Sequence, residues 1–283
     1  MRLRTRKRLI IIGCIMLLLI GLAACLLPTI GAALILHPVK RHVLSTPPSE
    51  CYEVTLQGEG VNLRGWRGQA VGDRRGTVIY LHGLADNRTS GAGVMERFRR
   101  LGFDVVAYDS RAHGESDGDA CTYGYHEKED LRRIIDILDS GPIILIGGSL
   151  GAAVGLQAAA VDRRISAVIA AETFSDLRTV VIERAPIFFT RNSVNKAIKL
   201  AEQKGSFYMN AVSPVLAART ITAPVLLIHG ASDSATPPEH SRRVFESLSG
   251  TKRLILVPGA EHNESLKGSI WNDIVLWVDT ITT

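Results

Sequence analysis

The sequence predicts an α/β protein built on a mostly parallel sheet with helices on both faces. Three observations predict it. From residue 77 to residue 278, short apolar runs of strand length alternate with longer amphipathic runs of helix length, the pattern of repeated strand–helix units. The strand-like runs over 77–81 and 143–146 are uncharged and almost wholly apolar, as strands covered on both faces tend to be. One of them leads straight into Gly147-Gly148-Ser149-Leu150-Gly151 and then into a small, apolar, helix-competent run over 152–161. That is a strand, a sharp turn and a helix in immediate succession.

Each element follows from local pattern. Residues 52–56 and 61–66 read as two strands joined by Gln57-Gly58-Glu59-Gly60, a hairpin. A helix over 93–101 ends at Gly102, a residue suited to the left-handed conformation past a C-terminus. Residues 104–108 form the next strand. Residues 127–139 form an amphipathic helix, with Leu131, Ile134, Ile135 and Leu138 on one face. Strands follow over 165–170, 225–228 and 253–257. Thr236-Pro237-Pro238-Glu239 opens a helix with a capping-box pattern. Residues 270–278 close the chain as a helix, with Ile270, Ile274 and Val278 in register. The alternation breaks between 171 and 213. There, helix-like pieces at about 176–183 and 193–204 surround Ile187, Phe188 and Phe189, which reads as a lid and substrate pocket.

Composition is that of a globular protein, with 46% hydrophobic and 22% charged residues. The formal charge of +5 reports a tail, because Arg2, Arg4, Arg6, Lys7 and Arg8 supply all of the excess. The body is balanced and shows no basic–aromatic interleaving, so no nucleic-acid partner is expected. The four cysteines form no framework, and no His/Cys cluster has zinc spacing. No metal and no cofactor are expected.

Residues 9–36 carry no charge. A bilayer needs about 20 apolar residues, and the basic excess before this run points the amino terminus to the cytoplasm. The expectation is a single-pass membrane protein: basic tail and anchor over 1–36, extended linker over 37–49, and a catalytic domain over 50–283 outside the cytoplasm, with the lid at about 172–213. Leu22-Ala23-Ala24-Cys25 offers an alternative, a lipoprotein anchored through Cys25.

The pentapeptide around Ser149 matches G-x-S-x-G in a strand–turn–helix setting, where the serine hydroxyl is thrust out at the sheet edge. Side chains at Gly147 or Gly151 would collide with the adjoining strand and helix. A serine hydroxyl needs a base within hydrogen-bond reach, and the base needs an acid to fix its tautomer. Asp233 and His262 each follow an apolar strand, and the order Ser149, Asp233, His262 suits this architecture. Glu172, just past another strand, is the reserve acid. The oxyanion requires two amides. Leu150, next after the serine, and Leu84, in the loop after residues 77–81, are the candidates. Asp109 and Arg111 read as loop braces, and His82 and His229 as structural hydrogen-bonding groups.

With these motifs in view, the chain resembles the α/β-hydrolase superfamily, nearest to bacterial membrane-anchored hydrolases with prolyl-oligopeptidase-like or lipase/esterase-like domains. The resemblance rests on Leu81-His82-Gly83, Tyr108-Asp109-Ser110-Arg111-Ala112-His113-Gly114-Glu115-Ser116, the pentapeptide at 147–151, Pro224-Val225-Leu226-Leu227-Ile228-His229-Gly230 with Asp233, and Gly259 with His262. It covers about residues 50–283. It implies an eight-stranded sheet, metal-free acyl transfer to Ser149, and hydrolysis of the acyl-enzyme by water. The chain departs from the pattern at Ala112, where glycine is usual, and at Ser110, Gly148 and Ala235.

The expected function is therefore a serine hydrolase acting on small acyl esters. A peptidase or acyltransferase would use the same triad. A membrane-tethered binding module that has lost catalysis, or an enzyme working on lipid at the membrane surface, are further readings.

Overall fold

Strand β5 (Ile143–Gly148) shows why the chain forms a covered sheet. Its side chains alternate between two cores: Ile143 and Leu145 pack in one hydrophobic cluster, Ile144 and Ile146 in the other. Apolar residues on both faces of a strand demand helices on both faces of the sheet. The computed structural model describes residues 2–282. The side chains of residues 1–6, 10, 17–20, 22–24, 282 and 283 lie outside the described set.

The sheet has eight strands. Besides β5 these are β1 (Cys51–Gln57), β2 (Asn62–Gly68), β3 (Gly76–Leu81), β4 (Phe103–Tyr108), β6 (Ile165–Ala171), β7 (Val225–Gly230) and β8 (Lys252–Val257). Their order is β1-β2-β4-β3-β5-β6-β7-β8. The hairpin β1–β2 is antiparallel and β2 meets β4 antiparallel; β4, β3, β5, β6, β7 and β8 all run parallel. The mostly parallel eight-stranded sheet expected from the sequence is present.

Helices α2 (Ala92–Arg100) and α9 (Ile270–Thr282) cover one face, with Met95, Phe98, Ile270 and Ile274 buried there. Helices α3 (Glu127–Asp136) and α4 (Leu150–Ala159) cover the other. Helix α4 is buried along its whole length, which its small and apolar sequence permits. Gly102 takes φ +83° just past α2, as expected of a residue that ends a helix.

The lid region contains α5 (Leu177–Glu183) and α6 (Arg191–Gly205), followed by the short α7 (Pro214–Ala218). Asp176 caps α5 through the Thr179 N–H at 2.8 Å, and Thr190 caps α6 through the Ser193 N–H at 3.2 Å. One expectation fails here. Ile187 is fully exposed and Phe188 is 66% exposed, so neither forms lid core or pocket wall; of the three, only Phe189 packs inward. The seven-residue tip over 184–190, between two capped helices, buries one side and leaves the other out.

The capping box at Thr236 also fails to form. Helix α8 (Glu239–Ser247) begins after Pro238, with no side-chain cap. Thr236 is committed elsewhere: its N–H donates to Asp233 Oδ1, its carbonyl accepts from His229 Nε2, and its hydroxyl bonds Arg184.

Helix α1 spans Arg2–Leu36. Among the described residues, no helix is long and apolar enough to cross a membrane, so the anchor draws no support from the structure. Leu22, Ala23 and Ala24 of the cleavage box lie outside the described side chains. The end of α1 packs on the body. Ala32, Ile35 and Leu36 are buried, and the last carbonyls of the helix accept from the Cys121 N–H (2.8 Å, Leu36) and the Tyr123 hydroxyl (2.9 Å, Ile35). Those are groups that a helix end would otherwise leave unsatisfied.

Candidate active site

Ser149 stands between β5 and α4 with φ +51° and ψ −109°. A non-glycine residue there is strained by about 1–3 kcal/mol and persists only when its surroundings impose it. Two glycines impose it. A Cβ on Gly147 would lie 2.4 Å from the Gly151 carbonyl carbon, and one on Gly151 would lie 2.0 Å from the Leu81 oxygen. The turn is therefore tight enough that only glycine fits on either side. The Ser149 N–H donates to the Ala171 carbonyl at 2.8 Å, tying the turn to β6.

The three residues expected to act together are brought together. His262 Nε2 lies 3.1 Å from Ser149 Oγ, and His262 Nδ1 lies 2.6 Å from Asp233 Oδ2. A carboxylate only accepts, so Nδ1 carries the proton and donates. A neutral imidazole then offers Nε2 as an acceptor to the serine hydroxyl. They come from the carboxyl ends of β5, β7 and β8, where ligands gather on parallel sheets.

Asp233 is held as an anion. Burial pushes its carboxyl up, but hydrogen bonds from His229, His262 and the Thr236 N–H outweigh that and hold it well below the usual carboxylate range. Oδ1 accepts from the N–H groups of Ala235 (3.0 Å) and Thr236 (2.8 Å). His229 lies beneath: its Nε2 donates to the Thr236 carbonyl at 2.7 Å and sits 3.3 Å from Asp233 Oδ2. Its Nδ1 is 2.6 Å from Ser241 Oγ. It shapes the acid's loop, as expected of a structural histidine.

His82 does the same for the loop after β3. Its Nε2 accepts from the Ser110 N–H at 2.9 Å and its Nδ1 donates to the Gly83 carbonyl at 2.7 Å. A Cβ on Gly83 would lie 3.8 Å from the Ser149 Cβ, so this loop covers the serine. Leu84 follows it, partly exposed, and Leu150 opens α4 beside the serine. The braces hold too: Asp109 binds Arg88 at 2.5 Å, and Arg111 binds Asp130 at 2.7 Å.

The sequence named Glu172 only as a reserve acid, and it missed Arg184 and His240 altogether. Glu172, φ +54°, is 3.8 Å from His262 Nδ1 and serves as a clamp on the histidine loop; its carboxylate accepts the N–H groups of Asn263, Glu264 and Ser265. An acid at a strand's carboxyl end was the only visible signal. Arg184, just past α5, donates to the Ala235 carbonyl at 2.9 Å and to Thr236 Oγ1, joining the lid to the Asp233 loop. His240 bridges Ser175 Oγ (2.9 Å) and Glu183 (2.8 Å), fastening both ends of α5 to α8. No local pattern marks the last two, because their partners lie about 50 or more residues away.

Two cavities adjoin at Leu84, in the loop that covers the serine. One, of about 540 Å³, is mixed in character and carries the charged and polar residues Arg41, Asp86, Arg97, Glu172, Asn263 and Lys267. The other, of about 260 Å³, is apolar and lies between α1, α5 and α6.

Residues 76–197 match the family model described as the alpha/beta hydrolase fold. The chain is 30% identical over 216 residues to the uncharacterized protein YqkD of Bacillus subtilis, covering 72% of this chain and 70% of that one. It is 29% identical over 227 residues to the uncharacterized protein YfhR of Escherichia coli strain K12, covering 76% and 73%. Among solved structures, the Pyrococcus furiosus esterase Pf2001 superposes with a TM-score of 0.68 at 25% identity, over 87% of this chain and 96% of that one. With this sheet order, this turn and these relatives, the chain belongs to the α/β-hydrolase superfamily.

Proposed function

We propose that this protein is a serine hydrolase that cleaves carboxylic esters through an acyl-enzyme on Ser149. The observation that carries the reading is the continuous line from Ser149 Oγ through His262 to Asp233, at 3.1 and 2.6 Å. The likeness to an esterase at 25% identity supports the choice of ester.

In this reading His262 Nε2 takes the hydroxyl proton as Ser149 Oγ attacks the ester carbonyl carbon. The carbonyl electron pair moves to oxygen, where the N–H groups of Leu150 and Leu84 bind it. Asp233 stabilises the imidazolium that forms. The tetrahedral species collapses, the C–O bond to the alcohol breaks, and His262 protonates the departing oxygen. Water then attacks the acyl-enzyme, again giving its proton to His262, and the carboxylic acid leaves with Ser149 restored. Every step uses only side chains, backbone amides and water.

The test is a panel of acyl esters beside matched amides and an alcohol acceptor series. Turnover of esters by the wild type, lost roughly 10⁴-fold or more in Ser149→Ala, is expected. Turnover of amides alone, transfer to alcohols alone, or no turnover with Ser149→Ala binding partners like the wild type would replace this reading by a peptidase, an acyltransferase or a binding module.

We further propose that the uncharged run over 9–36, in its part ahead of the residues 31–36 that pack on the body, anchors the protein in a membrane, with the five basic residues on the cytoplasmic side. The support is the sequence alone. Carbonate-resistant membrane association of the full chain that is lost on deleting residues 1–26 is the expected result; release by carbonate, or lipid on Cys25, would replace it.

A further inference from the structure

The apolar cavity of about 260 Å³ is walled on one side by Gly31, Leu34 and Ile35 of α1 and on the other by lid residues including Val181, Ala185 and Phe189. The helices are in close contact. A Cβ on Gly31 would lie 2.8 Å from the Ala197 Cβ and 2.9 Å from the Phe189 ring, so glycine lets α1 approach α6 with no side chain between them. The wall is also fixed, because the carbonyls of Ile35 and Leu36 are held by Tyr123 and the Cys121 N–H. Tyr123 itself lines the cavity.

Leu84 lines this cavity and also the larger, charge-lined one, so the two adjoin at the loop after β3. Gly83, one residue earlier, lies over Ser149. Leu84 thus stands between an apolar space and a charge-lined one, next to the residue that covers Ser149. Among the described residues, Arg184 is the one cation at the apolar cavity; it is engaged by Ala235 and Thr236 and leaves the lining apolar in character.

We infer that the last two turns of α1 are the outer wall of the acyl site: the substrate ester carries a single aliphatic chain held between α1 and the lid, and its polar alcohol occupies the cavity lined by Asp86 and Lys267. The inference rests on the ester reading above. A single chain follows from size, since the cavity lies at the small end of ligand sites, about 300–1,000 Å³. The alcohol side is larger and carries charges of both signs, which suits a hydroxylated leaving group. The chain-length determinant thus lies at residues 31–35, ahead of the sheet.

The experiment compares kcat/KM for 4-nitrophenyl acetate and octanoate on the purified full-length chain. In the wild type the octanoate-to-acetate ratio is expected to exceed about tenfold, since each buried methylene contributes up to about fourfold. Ala185→Trp fills the cavity from the lid and Leu34→Trp from α1; each is expected to lower that ratio by about tenfold. Thermal unfolding confirms that each variant is folded. If Ala185→Trp does not fold, Leu34→Trp decides, because its position is 65% exposed and tolerates bulk. A wild-type ratio near one, or a ratio unchanged in the folded variants, overturns the inference while leaving ester hydrolysis intact. A wild type that turns over neither ester removes the reading beneath it as well.

Discussion

Glu172 and Asp233 approach His262 from the same side and do different work. Asp233 Oδ2 lies 2.6 Å from His262 Nδ1, whereas Glu172 Oε2 lies 3.8 Å away and accepts the Asn263 N–H at 2.5 Å. Glu172 also takes the N–H groups of Glu264 and Ser265 at 3.2 and 2.9 Å. One carboxylate addresses the imidazole; the other fixes the backbone that carries it.

Glu172→Gln should separate the two roles. The amide keeps the shape but offers one acceptor oxygen, and its NH₂ meets backbone donors. The histidine loop loosens, and small displacements at a reacting centre cost up to about a hundredfold. The expected result is kcat lower by about 10- to 100-fold with KM nearly unchanged, measured on a soluble ester. An equal loss in Asn263→Ala with no loss in Glu172→Gln would place the constraint elsewhere.

Acid should destabilise the fold through His113. It is fully buried, its Nε2 has no hydrogen-bond partner among the described residues, and its ring meets that of His82 edge-on at 5.0 Å. Burial first, and His82 second, push it from 6.5 down to about 4. The unfolded chain therefore binds the proton that the folded chain refuses between those values. Stability falls as pH drops from 6.5 towards 4, by up to about 1.4 kcal/mol per pH unit, and is unaffected by this group above that window. Urea unfolding at pH 7 and pH 5 should show a smaller acid loss in His113→Asn than in the wild type; equal losses would exclude His113 as a cause.

Ala112 occupies φ +61° in the loop after β4, where the family pattern has glycine. The left-handed conformation costs alanine about 1–2 kcal/mol, while glycine adds about 0.5–1 kcal/mol of chain entropy to the unfolded state. The first exceeds the second, so Ala112→Gly is expected to raise stability by about 0.5 kcal/mol. Chemical denaturation checks the sign, and a loss would mean that the alanine methyl packs usefully.

The sequence carried the parts of the fold that depend on local periodicity. The strands, the helix faces and the glycines at 147 and 151 were legible because each obeys a rule within a few residues. Ser149, Asp233 and His262 were legible because each follows an apolar strand and their order is distinctive. The failures share a cause. Thr236 looks like a helix cap in isolation, but Asp233, His229 and Arg184 all claim it in three dimensions. Ile187 and Phe188 look like core by composition, yet the two capped helices around them turn both outward. Arg184 and the α1 wall of the apolar cavity depend on residues far apart in sequence, where periodicity is silent.

A fluorophosphonate probe tests the reactivity of Ser149 most directly, because it reports an activated serine without requiring the right substrate. Mass spectrometry of the labelled wild type should locate one adduct, on Ser149, with none in Ser149→Ala and a much slower one in His262→Ala. A folded wild type that takes no label, or a label that persists unchanged in Ser149→Ala, would contradict proton transfer along Ser149, His262 and Asp233.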